Sequence, residues 1–266
     1  MECHRRILMS VSFTNCYSVF LNRKCSRRRQ CCSSKSKYYC CNWKDYQPDD
    51  WIARLHWKEV TNNNKNNHYE ESRQEPVISP RILILYGSLR QGSLSKALAY
   101  EAARILYKLG ADVRIYHPQS LPVQDPQYET HPKVQEFIQL YNWSQGQLWC
   151  SPVHHGSMSS VLKNQLDWYT FPPSGRTVAF CQVQGGQLSG AAVHHMFTIA
   201  LSLNMIIAPC YLIVPETFRE FSSEGRMKAG PYREKLVQVM EALYKLTCIT
   251  NQQSPFFMES QLEYLT

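Results

Sequence analysis

Between residues 87 and 95 the chain places Gly87, Ser88, Arg90, Gly92, Ser93 and Ser95. Serine hydroxyls are neutral donors, Arg90 offers a charged fork, and glycines let backbone N–H groups come close to an anion. That set suits a phosphate. An unbroken apolar run, Ile82 to Tyr86, stands before it, and Leu94 to Leu109 reads as an amphipathic helix whose positive end would face the same anion. No Gly-Lys-Ser/Thr follows the glycines, so this is not a Walker loop, and the Gly-x-Gly-x-x-Gly fingerprint is absent. A serine-rich turn of this kind fits a phosphate monoester held with little help from metal. An N-capped helix after a strand, with Ser93 as cap and Arg90 solvated, would use the same letters, so the decision rests on the other strand ends.

Two further loops follow short apolar runs. Ser151-Pro152-Val153-His154-His155-Gly156 contains a proline and a glycine that fix an irregular backbone able to lie flat against a planar ring. Adjacent loop histidines seldom aim at one ion, so no metal site is expected here. Gln184-Gly185-Gly186 would let a ligand approach the backbone, although a glycine pair alone also marks an ordinary turn.

The elements that must position these loops alternate from residue 76 onward. Strands are expected at 82–86, 113–116, 147–150, 177–183 and 206–214, and helices at 94–109, 131–143, 157–169, 189–204 and 232–249. Gly110 sits where a left-handed residue closes a helix, and Pro132 lies in the first turn of the next. Five strands alternating with five helices make an α/β fold, a flavodoxin-like doubly wound five-stranded parallel sheet with helices on both faces. Ligands of such sheets sit at the carboxyl ends of the strands, and a serine cradle there suits a phosphate monoester, as in flavodoxin-like proteins that hold FMN.

The chain of 266 residues carries a net charge of +8, and that charge is unevenly placed. Residues 1–75 hold 14 Lys and Arg against 8 Asp and Glu, and the remainder holds 15 against 13. Seven of the eleven cysteines also fall in 1–75. The division expected is a basic, Cys-rich, disordered segment over 1–75 and an FMN-binding domain over 76–266. The front segment has no Cys-x-x-Cys step for zinc, and Arg27-Arg28-Arg29 reads as a solvated tail, so a nucleic-acid partner is not expected. Cys150, Cys181, Cys210 and Cys248 lie in apolar runs as small hydrophobes. No apolar stretch is long enough to span a bilayer and no secretory leader is convincing, so the expectation is a cytoplasmic protein without a membrane partner.

Residues 81 to about 250 resemble the NAD(P)H-dependent FMN reductase superfamily, most closely its ArsH branch of arsenical-resistance flavoproteins. The resemblance is carried by Tyr86-Gly87-Ser88-Leu89-Arg90 with Ser93 and Ser95, His131-Pro132-Lys133-Val134-Gln135-Glu136, Trp149-Cys150-Ser151-Pro152, His155-Gly156, Gln165-Leu166-Asp167-Trp168, Gln182-Val183, Gly185-Gly186 and Gly225-Arg226-Met227-Lys228. It implies an oxidoreductase with bound FMN, reduced by NADPH with NADH as a second candidate, and assembled as a homotetramer. It implies small-molecule electron acceptors: oxygen, quinones, azo dyes, metal ions or organoarsenicals. By position, Ser88, Arg90, Ser93 and Ser95 would hold the FMN phosphate. Ser151, Pro152, Val153, His154, His155 and Gly156 would lie along the isoalloxazine, and Gln184, Gly185 and Gly186 would close its far edge. The flavin would carry the chemistry, so no side chain is assigned as catalytic. The chain departs from the branch at Val153, His154 and Gln184, and at Phe197, Leu201 and Asn204, where arginines are usual. A flavodoxin-fold FMN binder without nicotinamide turnover is the alternative those departures leave.

Overall fold

The structure is a computed structural model that describes residues 51–52, 55, 79–169, 173–187 and 189–252. The expected segment 1–75 lies outside the described residues except for Trp51, Ile52 and Leu55.

The sheet is built around β1 (Arg81–Tyr86), an apolar strand with both faces covered. β2 (Asp112–Ile115) pairs with one side of it and β3 (Gly146–His154) with the other, both parallel. β5 (Thr177–Val183) lies beyond β3. The outer position is shared by β6 (Ile206–Ile207) and β7 (Leu212–Val214), which both run parallel to β5. The chain thus steps outward from β1 to β2 and then returns across β1 to β3. This reversal is the switch point of a doubly wound sheet.

Alternation along β1 divides the core. Ile82 and Ile84 face one layer, where they meet α1 (Leu94–Lys108) and α5 (Pro231–Gln252) through Leu98, Ala102, Leu236 and Leu243. Leu83 and Leu85 face the other, against α2 (Pro132–Trp143), α3 (Ser160–Asp167) and α4 (Ala191–Ser202) through Phe137, Leu162 and Met196. Period-two alternation on a strand covered on both sides explains why its sequence is unbroken hydrophobe. Trp51, Ile52 and Leu55 belong to the first layer, and Ile52 is fully buried there.

Two elements differ from the sequence expectation. The run after Cys150 is not an irregular loop. β3 continues through it and turns back as a hairpin with β4 (Ser157–Met158), so α3 begins at Ser160, with Ser159 as its cap. The run 206–214 is not one strand, because Pro209 has no N–H to give a ladder; it separates β6 from β7. No helix among the described residues is long and apolar enough to cross a membrane.

Candidate active site

The turn after β1 is fixed by a close approach. Gly87 N–H donates to Cys150 O at 2.9 Å. A Cβ on Gly87 would lie 2.3 Å from Ser159 Oγ and 3.0 Å from Leu162 Cβ, so only glycine fits between β1 and α3. Beyond it, Ser88 Oγ accepts the Arg90 N–H at 3.3 Å, a serine turn that leaves the Arg90 side chain in solvent. Ser93 caps α1, its Oγ accepting the Lys96 N–H at 3.1 Å, and it shares a 2.9 Å hydrogen bond with Ser95 Oγ. The first helical bond is Ala97 N–H to Ser93 O at 3.0 Å. The N–H groups of Leu94 and Ser95 therefore precede the helical ladder.

The β3–β4 hairpin closes with His155 at φ 49° and Gly156 at φ 75°. Two left-handed residues in a two-residue turn define the type I′ geometry, which histidine adopts less readily than asparagine or glycine. Ser151 is buried beneath the hairpin: its Oγ accepts the Ser159 N–H at 3.0 Å and donates to Pro152 O at 2.9 Å. Ser157 Oγ lies 2.7 Å from His195 Nδ1, which ties the hairpin to α4.

The loop after β5 is organised by two buried glutamines. Gln182 Oε1 accepts the Val193 N–H at 3.0 Å, satisfying a first-turn donor of α4, and its amide donates to Gln184 Oε1 at 2.7 Å. The Gln184 side chain is turned inward by this pairing and its amide donates to Gln187 O. Gln184 N–H reaches both Val214 O at 3.1 Å and Thr217 Oγ1 at 3.0 Å, which brings the segment after β7 alongside. A Cβ at Gly185 or Gly186 would meet no protein atom, and neither has a positive φ. Neither packing nor backbone strain requires glycine there, so the space is open for a ligand to approach.

These loops enclose a cleft of about 340 Å³, within the usual range for small-molecule sites. Ser88, Arg90, Ser93 and Ser95 line one end; Pro152, Val153, His154, Gln184 and Gly185 line the other. Ser151, His155, Gly156 and Gly186 are outside the lining, the first beneath it and the histidine–glycine pair at the hairpin tip. Gly92, part of the phosphate-suited turn, also lines it, and Gln91, Leu94, Val183, Thr217 and Phe218 line it without having been expected from sequence. Thr217 and Phe218 sit after the last strand, and the one signal for them is that every parallel strand delivers its chain to the same edge. Among the described residues Arg90 is the only Lys, Arg, Asp or Glu in the lining. One end thus supplies a guanidinium, hydroxyls and helix N-terminal amides. The other supplies the apolar surfaces of Val153 and Val183 with the exposed ring of Phe218. A phosphorylated planar ring such as FMN fits that division.

His194 and His195, on the helix where arginines were looked for, do not act together: His195 is bonded to Ser157, and His194 packs toward Gly190. Leu201 is 64% exposed and Asn204 takes a left-handed φ of 54°.

Residues 80–219 match the family described as NADPH-dependent FMN reductase. The chain is 43% identical over 190 residues to the NADPH-dependent FMN reductase ArsH of Acidithiobacillus ferrooxidans, covering 69% of this chain and 80% of that one. It is 28% identical to an NADPH:quinone oxidoreductase of Arabidopsis thaliana, over 65% of this chain and 93% of the relative. In fold it is similar to the flavoenzyme FerB, an NAD(P)H:(acceptor) oxidoreductase from Paracoccus denitrificans, with a TM-score of 0.54 at 17% identity over 63% of this chain and 97% of that one. The switch-point cleft, its donor-lined end and the extent of these matches agree, and the chain belongs to the NADPH-dependent FMN reductase family.

Proposed function

We propose that this FMN-dependent oxidoreductase, which draws its electrons from NADPH, seats its flavin in the cleft at the carboxyl ends of β1, β3 and β5. The supporting observation is the coincidence of Arg90, Ser88 and the amino end of α1 at one extremity of a cleft that holds no carboxylate among the described residues. Ser88, Arg90, Ser93 and Ser95 bind the phosphate. Pro152, Val153 and His154 border the ring on one side and Gln184 and Gly185 on the other, with Phe218 flanking it. Bound FMN supplies two-electron chemistry between a nicotinamide donor and an acceptor. The chain's own contribution is to anchor the phosphate with charge-assisted hydrogen bonds, to border the ring with apolar surface and to leave one side open. No side chain is required as nucleophile or proton carrier.

The quinone oxidoreductase among the relatives makes quinones the acceptor class to assay first, organoarsenicals follow as the class that the resemblance to the ArsH branch implies, and the open, weakly polar side of the cleft suits neutral planar molecules. We read the working form as a cytoplasmic homotetramer. Leu201 and Tyr211 are 64% and 40% exposed and offer apolar surface to further copies, which light scattering on the purified chain will test.

The deciding experiment is the visible spectrum of the FMN-loaded protein under argon, before and after NADPH. Bleaching of the flavin is expected. A flavin that stays oxidised with both NADPH and NADH would describe an FMN binder without nicotinamide turnover, and failure to load FMN would remove the cleft assignment.

A further inference from the structure

The opposite end of the sheet carries a second cleft, of about 220 Å³. Arg81 opens β1 there, Arg176 lies just before β5, Asn142 comes from the last turn of α2, Gln145 from the α2–β3 turn, and Thr250 and Asn251 from the last turn of α5. Among the described residues the lining contains no apolar side chain and no carboxylate. Gln145 knits the floor: its Oε1 accepts the Arg81 N–H at 2.9 Å and its amide donates to Asn251 Oδ1.

Arg176 is held in place. Its guanidinium lies 4.7 Å over the Tyr141 ring and donates to Tyr141 O. That contact closes the end of α2, an ordinary structural duty, but it uses one of five N–H donors. Burial makes protonation of Arg176 harder than usual; Tyr141 and Tyr169 work against that shift, and the charge of Arg81 adds the smallest part to it. Among the described residues no carboxylate forms an ion pair with either arginine. Two like charges facing one polar cleft, on a stitched floor, are the arrangement that a bound oxyanion would relieve.

We infer that this cleft is a binding site for a small oxyanion of the phosphate class, gripped between Arg81 and Arg176 with the Asn142 and Asn251 side-chain amides as neutral donors. The ligand is free phosphate or a small phosphomonoester; both present the same oxygens to the two forks. The site lies at the other end of β1 from Ser88 and is independent of the flavin assignment.

The test is calorimetric titration of the full-length, FMN-saturated protein with inorganic phosphate at constant ionic strength, repeated with glycerol phosphate. Saturating FMN keeps the other phosphate-binding end filled. One saturable event is expected, weakened about tenfold in Arg81→Gln and in Arg176→Lys, which keeps the charge and loses the fork. Arg81→Gln should leave the circular dichroism spectrum and NADPH oxidation unchanged. Tighter binding of glycerol phosphate would identify an esterified ligand, and tighter binding of inorganic phosphate a free one. Absence of saturable binding by either, or equal affinity in Arg81→Gln, overturns the proposal.

Discussion

Glu101 of α1 and Arg226, in the loop after β7, meet as an ion pair although 125 residues separate them. Arg226 Nε and Nη2 both donate to the carboxylate, and Arg104 Nη1 reaches it at 2.7 Å. The Glu101 side chain has no solvent exposure. Arg226 belongs to a small hairpin in which Phe221 bridges Met227 and Lys228 Nζ donates to Arg219 O at 2.9 Å. Thr217 and Phe218 of the cleft immediately precede that hairpin. One buried carboxylate thus joins the helix at the Ser88–Arg90 end of the cleft to the loop that bears Phe218, which gives Gly225-Arg226-Met227-Lys228 a physical purpose.

Removing Arg226 takes two charge-assisted hydrogen bonds from the buried Glu101 carboxylate and leaves it Arg104. Arg226→Ala is expected to cost about 2 kcal/mol of stability in urea unfolding. It should also weaken FMN binding severalfold, because the segment bearing Thr217 loses its anchor. Unchanged FMN affinity in a folded Arg226→Ala protein would confine the clamp to stability.

The phosphate end can be separated from the ring end by choice of ligand. Ser88→Ala with Arg90→Ala should raise the FMN dissociation constant at least about tenfold in fluorescence titration, since charge-assisted bonds are the stronger ones. Riboflavin has the same ring and no phosphate, so its affinity should barely change. Equal losses for FMN and riboflavin would show that the two side chains shape the cleft and do not grip phosphate.

Gly87→Ala tests the close approach of β1 and α3. The added carbon would sit 2.3 Å from Ser159 Oγ and 3.2 Å from Pro152 Cδ. Forcing it in should cost roughly 1–3 kcal/mol. Gly185→Ala meets no protein atom and should leave stability within about 0.5 kcal/mol of the parent. It should instead weaken FMN binding if the flavin passes there. The contrast is read by urea unfolding and FMN titration of both variants.

How far the sequence revealed this architecture depends on what each element needs from distant residues. β1, α1 and β5 are legible because short continuous apolar runs, an N-cap serine at Ser93 and a C-terminal glycine at Gly110 are local instructions. The β3–β4 hairpin is not. Its return strand has two residues, and a His-Gly turn resembles loop composition until the φ angles are known. Gln184 illustrates the same limit within the cleft: its letter suits a ligand contact, while its partner Gln182 turns the side chain inward. Phe218 carries no local signal at all, because what makes it a cleft residue is the parallel order of β5 and β7.

Phe218 is 57% exposed at the cleft edge, with the Arg219 guanidinium 5.6 Å from its ring centre. So exposed a ring contributes little to the fold, and Phe218→Ala should change stability by less than about 0.5 kcal/mol. Its effect should appear in steady-state kinetics as a raised KM for aromatic acceptors such as quinones, with a smaller change for ferric complexes. Identical shifts for planar and non-planar acceptors would place the ring outside the acceptor's path.

The front boundary of the folded unit gives the last test. Ile52 is fully buried in the layer under α1 and α5, and the Trp51 ring stacks 4.6 Å from the Arg233 guanidinium. Burying one isoleucine is worth about 1.5–3 kcal/mol. A chain beginning at Gln47 should therefore unfold in urea with the full-length midpoint, whereas one beginning at Pro76 should be less stable by about that amount. Both should still bind FMN, since the cleft lining starts at Ser88. Equal stability of the two shortened chains would mean that Trp51 and Ile52 rest on the core without supporting it. Loss of FMN from both would instead make the basic, Cys-rich segment part of the flavin site.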